Sequence, residues 1–182
     1  MRELALHLLD IAENSLSAKA STIKIVVVED TLHDRLIMSI QDNGVGMDEQ
    51  TVAKVVDPFV TSRTTRRVGL GIPLLKAAAE ACNGSLKITS VLGQGTLVAV
   101  DFQRSHIDRM PLGDLAGTIL SLVVGTPQVH WVIVYQVDGS EFNFDDEPIK
   151  AALGEVSLTE PSVLAYIREM LYEGMAALQP VN

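Results

Sequence analysis

The chain has one cysteine in 182 residues, 4% aromatic residues, and no apolar run of the roughly 18 residues that a membrane-spanning helix needs. A single cysteine excludes a disulfide framework and, unaided, a zinc or iron–sulfur site. Charges at Arg2, Glu3 and Asp10 argue against a signal peptide. Since 47% of the residues are hydrophobic, one good core can form. We therefore expect a soluble, cytoplasmic protein that does not contact a membrane.

Basic residues are scarce, and most of them lie in the first 104 residues of the chain. Residues 1–104 carry 12 acidic and 11 basic side chains, whereas residues 105–182 carry 11 acidic and 3 basic ones. This step predicts a boundary between Arg104 and Ser105, with a main domain at 1–104 that folds alone and an acidic accessory region at 105–182. Phosphate backbones would repel the acidic region, which argues against nucleic acid as a partner.

Hydrophobic periodicity predicts an alternation of helices and strand pairs. A first helix over 2–18 carries His7, Asp10 and Asn14 on one polar stripe. The order of elements in 1–104 predicts an α+β sandwich, a mixed sheet with helices on one face. The other predicted helices are 49–56, 72–81, 113–124, 147–153 and 161–178, and the predicted strands are 22–29, 35–41, 85–91, 96–102, 129–137 and 140–144.

A glycine-punctuated loop, Asp42-Asn43-Gly44-Val45-Gly46-Met47, directly follows a predicted strand. A buried carboxylate at Asp42 would accept from a donor such as the exocyclic amine of adenine. Gly44 and Gly46 would let the backbone approach a flat ring, and Met47 offers a polarizable wall. An isolated Asp-Asn-Gly is more often a hairpin turn. Two further glycine loops, Gly69-x-Gly71 and Gly93-x-Gly95-Thr96, favour the binding loop here.

The segment Gly69-Leu70-Gly71 opens a predicted helix, so free backbone N–H groups and the helix dipole face whatever lies there. Arg63 lies just upstream, and its charge suits a polyphosphate. A tight turn before a helix is the alternative interpretation of the same glycines.

Glu13 and Asn14 lie in the middle of the first predicted helix, where Asn is an unfavourable residue. The side-chain oxygen of Asn14 could bind Mg²⁺, which takes few protein ligands. Glu13 could orient or deprotonate an attacking water. An exposed helix face is the alternative for either residue alone.

Taken together, these motifs resemble those of the GHKL ATP-binding superfamily, which includes gyrase, the heat-shock chaperone, histidine kinases and mismatch-repair ATPases. The resemblance covers about residues 3–103, with the motifs in the family order. Residues 8–16 resemble the N box, with Glu13-Asn14-Ser15-Leu16 closest to mismatch-repair ATPases; 42–47 resemble the G1 box; and 58–63, 69–72 and 93–96 resemble the F, G2 and G3 boxes of histidine kinases.

The resemblance implies a Bergerat-type fold with ATP and Mg²⁺ as ligands. It implies that Asp42 accepts from the adenine amine with support from Thr96, and that Asn14 holds Mg²⁺ with Asp10 on the same stripe. Arg67 stands where histidine kinases usually have a further glycine, and the lid is short, so a partner could be needed to complete it. Phosphates would be held by Arg63 and by the amides of Gly69, Leu70 and Gly71.

A second resemblance follows the main domain. Residues 105–112 match the phosphoacceptor box of histidine kinases at five of eight positions, which makes His106 a candidate phosphoryl acceptor. That box normally precedes the ATP-binding domain on a long paired helix, so a histidine in a linker is the alternative. His7, on the polar stripe of the first helix, is a rival acceptor.

The resemblance implies two functions. As a kinase of histidine-kinase type, the protein would transfer the γ-phosphoryl group of ATP to a protein partner, which the F and G2 boxes and residues 105–112 favour. As a slow ATPase or nucleotide-dependent switch it would regulate a partner, which Glu13-Asn14-Ser15-Leu16 favours. Either activity is compatible with a homodimer, and neither identifies the partner.

Overall fold

The structure, a computed structural model, describes residues 3–57 and 71–178. Each element predicted from the sequence occurs, and the observed ends differ from the predicted ones by at most two residues. Among the described residues, no helix is both long and apolar enough to cross a bilayer. The elements are α1 (Leu4–Ser17), β1 (Thr22–Asp30), β2 (Arg35–Asp42), α2 (Glu49–Val55), α3 (Gly71–Ala81), β3 (Ser85–Val91), β4 (Gly95–Gln103), α4 (Leu115–Gly125), β5 (His130–Val137), β6 (Ser140–Asp145), α5 (Glu147–Leu153) and α6 (Pro161–Ala176).

The strands form one six-stranded mixed sheet in the order β3-β4-β2-β1-β5-β6. β1 pairs with β5 in parallel, and the other neighbouring pairs are antiparallel. Alternate side chains of each strand face the core, as the period of two requires. On β1, for example, Ile23, Ile25 and Val27 are fully buried, whereas Val26 and Val28 on the opposite face are half-buried. The predicted α+β architecture with a mixed sheet is confirmed.

The acidic part of the chain is built into the same sheet and the same core. β5 lies beside β1 with Ile133 opposite Ile25, and both side chains are fully buried. Trp131 and Tyr135 extend this buried row along β5. The charge step between Arg104 and Ser105 therefore marks no break in sheet or core, and we propose that the two parts fold together. The predicted division into two domains stays a prediction.

Two hydrogen-bonded clasps connect the parts at one end of the sheet. Asp34, in the β1–β2 turn, accepts from the backbone N–H and the hydroxyl of Ser105, at 2.8 and 2.7 Å. Asp138, in the β5–β6 turn, accepts from the backbone N–H and the hydroxyl of Thr31, both at 2.7 Å. Each part thus supplies one carboxylate and one pair of donors.

Candidate functional site

A cavity of about 160 Å³ opens at the other end of the sheet, where β2 ends and β4 begins. Its walls come from α1, the loop after β2, α2, the start of α3 and the start of β4. Within the described residues, Asp42 is the one ionisable side chain in a mostly apolar lining. The lining residues are Ile11, Asn14, Ser15, Ala18, Asp42, Gly46, Met47, Val55, Ile72, Thr96 and Val98.

Asp42, the last residue of β2, has a fixed and nearly buried carboxylate, with 9% of its surface exposed. Its Oδ2 accepts a hydrogen bond from the Ser15 hydroxyl at 2.6 Å, and its Oδ1 accepts from the Gly44 N–H at 2.8 Å. Each carboxylate oxygen has two lone pairs, so Asp42 retains capacity for a further donor. The carboxylate is therefore a preorganised acceptor at the edge of an apolar cavity.

The glycines beside Asp42 are required by close backbone approach. Gly46 has φ +67°, and a Cβ there would lie 2.0 Å from the carbonyl oxygen of Val91. Gly95 has φ +118°, and a Cβ there would lie 1.9 Å from the carbonyl oxygen of Asp42. Neither position tolerates a side chain. The two glycine loops that the sequence analysis associated therefore pack directly against each other.

Thr96 is the partner of Asp42 in the pairing of β2 with β4. Its hydroxyl lies 2.8 Å from the Ser90 hydroxyl, which also accepts from the Met47 N–H at 2.8 Å. Among the described contacts, Thr96 thus connects to the loop through Ser90 rather than bonding to the Asp42 carboxylate. Its placement in the cavity wall is compatible with the supporting role that we predicted.

The polar side chains of α1 differ in their relation to the cavity. Asn14 lines it, as expected. Asp10, one turn earlier on the same face, lies against the start of α3, because a Cβ on Gly71 would be 2.9 Å from Asp10 Oδ2. Glu13 is exposed and is not part of the lining. The structure thus places Asp10 beside Gly71 and Asn14 in the cavity wall, and it leaves Glu13 outside the lining.

Gly71 is buried and begins α3, where the first backbone N–H groups of a helix have no partner within the helix. Ile72, which follows, is part of the cavity wall. The other residues predicted to hold phosphates, Arg63, Gly69 and Leu70, lie outside the described residues.

Comparison with protein families places this cavity in a known context. Residues 1–106 match the family described as histidine kinase-, DNA gyrase B- and HSP90-like ATPase. The chain belongs to this family. The resemblance drawn from the sequence motifs is confirmed.

Solved structures show the fold of this ATPase-family chain beyond the matched segment. The Aquifex aeolicus MutL ATPase domain complexed with ADP has a TM-score of 0.54 at 15% identity, covering 95% of this chain and 70% of that one. The N-terminal domain of a DNA repair protein has a TM-score of 0.55 at 15% identity, covering 79% and 52%. Because it covers 95% of this chain, the MutL likeness extends into the acidic part.

Curated relatives are similar to part of this ATPase-family chain. The sensor histidine kinase YxdK of Bacillus subtilis is 34% identical over 73 residues, which are 38% of this chain and 22% of YxdK. The sensor protein kinase WalK of Staphylococcus haemolyticus is 36% identical over 87 residues, 45% of this chain and 14% of WalK. The chain thus spans less than a quarter of the length of these relatives.

The candidate acceptor His106 lies far from the cavity. β4 begins at the cavity and ends at Gln103, three residues before His106, so the strand alone separates them by roughly 20 Å. His106 Nδ1 accepts a local hydrogen bond from the Asp108 N–H at 3.2 Å. The structure therefore does not bring His106 to the cavity of its own chain.

The rival acceptor His7 is not on an open polar stripe, and that expectation was wrong. Only 3% of its surface is exposed, and burial lowers the pKa of its imidazole. Its Nδ1 has no hydrogen-bond partner among the described residues. Helical periodicity alone does not predict the burial of His7, because α1 packs against both α3 and α4 and therefore buries more than one of its faces.

Ser15 is a cavity residue that was not among the site residues predicted from the sequence. It fixes the Asp42 carboxylate from α1, so its hydroxyl among leucine and isoleucine was the available signal. Val55 and Ile72 also line the cavity, and they were not predicted as site residues. These residues are ordinary helix apolar positions, and only the tertiary arrangement distinguishes them from core.

Proposed function

We propose that the chain binds ATP in this cavity, with the adenine amine donating to Asp42. The observation that carries the proposal is the nearly buried Asp42 carboxylate, fixed by Ser15 and Gly44 and able to accept one more bond. Apolar side chains such as Ile72 and Val98 flank the carboxylate and suit the faces of a purine. The MutL domain that shares this fold was solved with ADP, which is consistent with the proposal.

The residues beyond the adenine end fit a magnesium-bound polyphosphate. Asn14 supplies an amide oxygen on the face of α1 that lines the cavity, and Mg²⁺ prefers oxygen ligands. Gly71 gives the start of α3 close access to Asp10, so helix N–H groups and the carboxylate share one location. We propose that Asn14 holds Mg²⁺ and that α3 holds phosphate. The ion would neutralise phosphate charge when bound.

For the reaction, we propose transfer of the γ-phosphoryl group to a side chain of a protein partner. A nitrogen of the acceptor forms the new bond to phosphorus, the bond to the β–γ bridging oxygen breaks, and ADP leaves. The sensor kinases among the relatives support this choice. Because His106 lies far from its own cavity, we expect the acceptor to belong to another molecule, either a separate protein or a second copy of the chain.

Hydrolysis is the second candidate, and the position of Asp10 favours it. A carboxylate beside the start of α3 could accept a proton from a water that attacks the γ-phosphorus. Asp10 then takes the role that the sequence analysis assigned to Glu13. Hydrolysis would make the protein an ATP-dependent switch for its partner.

Replacing Asp42 with Asn tests the binding proposal. The amide presents an NH₂ group in place of one acceptor, so we expect the ATP affinity to fall by about 1.5–3 kcal/mol, or roughly 10- to 150-fold. Titration calorimetry measures this change. The control is Asp101→Asn. Asp101 lies near the end of β4 that is remote from the cavity, where it pairs with Arg35 of β2. Equal ATP affinity for wild type and Asp42→Asn would refute adenine recognition at this carboxylate.

A second experiment separates the two reactions. With γ-labelled ATP, a kinase gives acid-labile label on protein, whereas an ATPase gives free phosphate. If Asp10 is the proton acceptor, Asp10→Asn should lower phosphate release by roughly 10²–10⁴, while Glu13→Gln leaves it unchanged. The reverse result would restore Glu13 as the base. Label on wild type that is absent from His106→Gln would identify His106 as an acceptor between copies.

A further inference from the structure

A groove on the helix side of the molecule is separate from the cavity at Asp42, because the two share no lining residue among the described residues. The groove, of about 890 Å³, runs along the outer side of α1, α4 and α6. Leu6 and Leu9 of α1 and Leu120 of α4 contribute apolar surface to it, and Leu6 is 38% exposed. The three leucines therefore form an apolar part of the groove lining.

The rim of this groove is acidic. Among the described residues, Glu3, Asp114, Glu169 and Glu173 line it, and Arg168 is the one basic residue of the lining. Within residues 3–57 and 71–178, neither Glu169 nor Glu173 takes part in an ion pair. These two carboxylates are one turn apart on α6, where like charges destabilise a helix by a few tenths of a kcal/mol. A cation placed between them would remove that repulsion.

The groove is also held in shape. The Tyr172 hydroxyl donates to Asp114 Oδ2 at 2.8 Å, and Asp114 Oδ1 accepts from the Gly117 N–H at the start of α4. The carboxylate of Asp114 raises the pKa of Tyr172, so the phenol remains a donor at neutral pH. These bonds connect α6 to α4, so both sides of the groove are fixed before any partner binds.

We propose that this groove binds an amphipathic helix of a partner protein whose apolar face is flanked by Lys or Arg. The apolar face would pack on Leu6, Leu9 and Leu120, and the basic side chains would pair with the acidic rim. The part of α6 that lines the groove, residues 165–173, is about 13 Å long, which accommodates roughly two turns of a docked helix.

Charge selects this occupant over the other candidates. A second copy of the chain carries a net charge of −9 and would present the same acidic rim. Phosphate-bearing surfaces would meet the four carboxylates at close range and be repelled. A basic helix instead gains from both the apolar surface and the rim, and electrostatic attraction would increase its rate of association.

The test uses the full-length chain and a fluorescein-labelled 14-residue peptide of leucine and lysine, with leucines at positions i, i+3, i+4 and i+7. Fluorescence anisotropy should show saturable binding to wild type. We expect Glu169→Lys with Glu173→Lys to weaken binding at least tenfold. Leu6→Asp should weaken it by a similar factor, and circular dichroism should show unchanged helix content in both variants.

A matched control carries the same change of net charge outside the groove. Glu155 and Glu160 are exposed, neither lines the groove, and the Glu160 side chain makes no capping bond to α6. Glu155→Lys with Glu160→Lys should change the affinity less than twofold. A scrambled peptide of equal composition, without an apolar face, should bind at least tenfold more weakly. Equal losses in the two double variants, equal binding of the scrambled peptide, or no binding to wild type would each overturn the proposal.

Discussion

The two parts of the chain differ in charge far more than in structure. Residues 1–104 are nearly neutral, and 105–182 carry a large excess of acidic residues. Both parts nevertheless contribute to one sheet, with β1 and β5 side by side as neighbouring interior strands. The acidic residues of the second part lie mainly on surfaces, including the groove rim, whereas its core-facing residues are as apolar as those of the first part. The difference in charge is therefore a property of the surfaces and does not mark a boundary in the fold. Hydrophobic periodicity is the better indicator of which segments share a core.

The largest effect should come from separating the parts. A fragment of residues 1–104 would expose β1 and the side chains that pack against β5, α4 and α6. Each newly exposed Ile, Leu or Val costs about 1.5–3 kcal/mol, so about five of them cost as much as the 5–15 kcal/mol free energy of unfolding of a typical domain. We expect a fragment that is insoluble or lacks a cooperative urea transition. A soluble fragment that unfolds cooperatively and binds ATP would instead confirm the domain boundary predicted from charge.

A pair of substitutions compares the two parts within the intact core. Ile25→Ala in β1 and Ile133→Ala in β5 remove register partners that are both fully buried. We expect each to lower the free energy of unfolding by about 2–5 kcal/mol in urea. Val26→Ala and Val134→Ala, at neighbouring paired positions on the half-buried face, are the controls and should cost less. A large loss for Ile25→Ala with almost none for Ile133→Ala would mean that the acidic part contributes little to the core.

The smallest effect concerns the two clasps between the parts. The Ser105 hydroxyl lowers the pKa of Asp34, and the Thr31 backbone N–H lowers the pKa of Asp138. The unfolded chain therefore binds protons more readily at these groups. The two carboxylates therefore stabilise the folded state fully above about pH 4, near their pKa in the unfolded chain. This stabilisation is lost as the pH falls through their lower pKa values in the folded protein.

We accordingly expect Asp34→Asn and Asp138→Asn to lower the melting temperature at pH 6 by a few degrees at most, because Asp138 is exposed and Asp34 is only half-buried. The difference from wild type should shrink at pH 3, where the wild-type carboxylates become protonated. Thermal unfolding at both pH values measures this. A difference that is the same at pH 3 as at pH 6 would show that the clasps stabilise the fold without contributing through charge.

Sequence reasoning located the elements well because each carries a local signal. The alternation of Ile23, Ile25 and Val27 predicts a strand, and Asp42-Asn43-Gly44 predicts a loop directly after another strand. The position of β5 beside β1 had no such signal, since it depends on packing between residues about a hundred positions apart. The same limit applies to the site: the position of Asp42 at the end of a strand could be predicted from its loop, whereas the proximity of Asp10 to Gly71 required the arrangement of α1 against α3.

The parallel pairing of β1 with β5 has a consequence for the order of events during synthesis. β1 can pair with β2 as soon as both have left the ribosome, but its other edge waits for β5. About a hundred residues separate the two strands, so at 5–20 residues per second that edge stays open for roughly 5–20 s. β1 is rich in Ile and Val, and an unpaired strand edge of this composition tends to pair with other chains. The nascent chain is therefore most vulnerable to aggregation after its nucleotide-binding motifs have been made and before the acidic part has emerged.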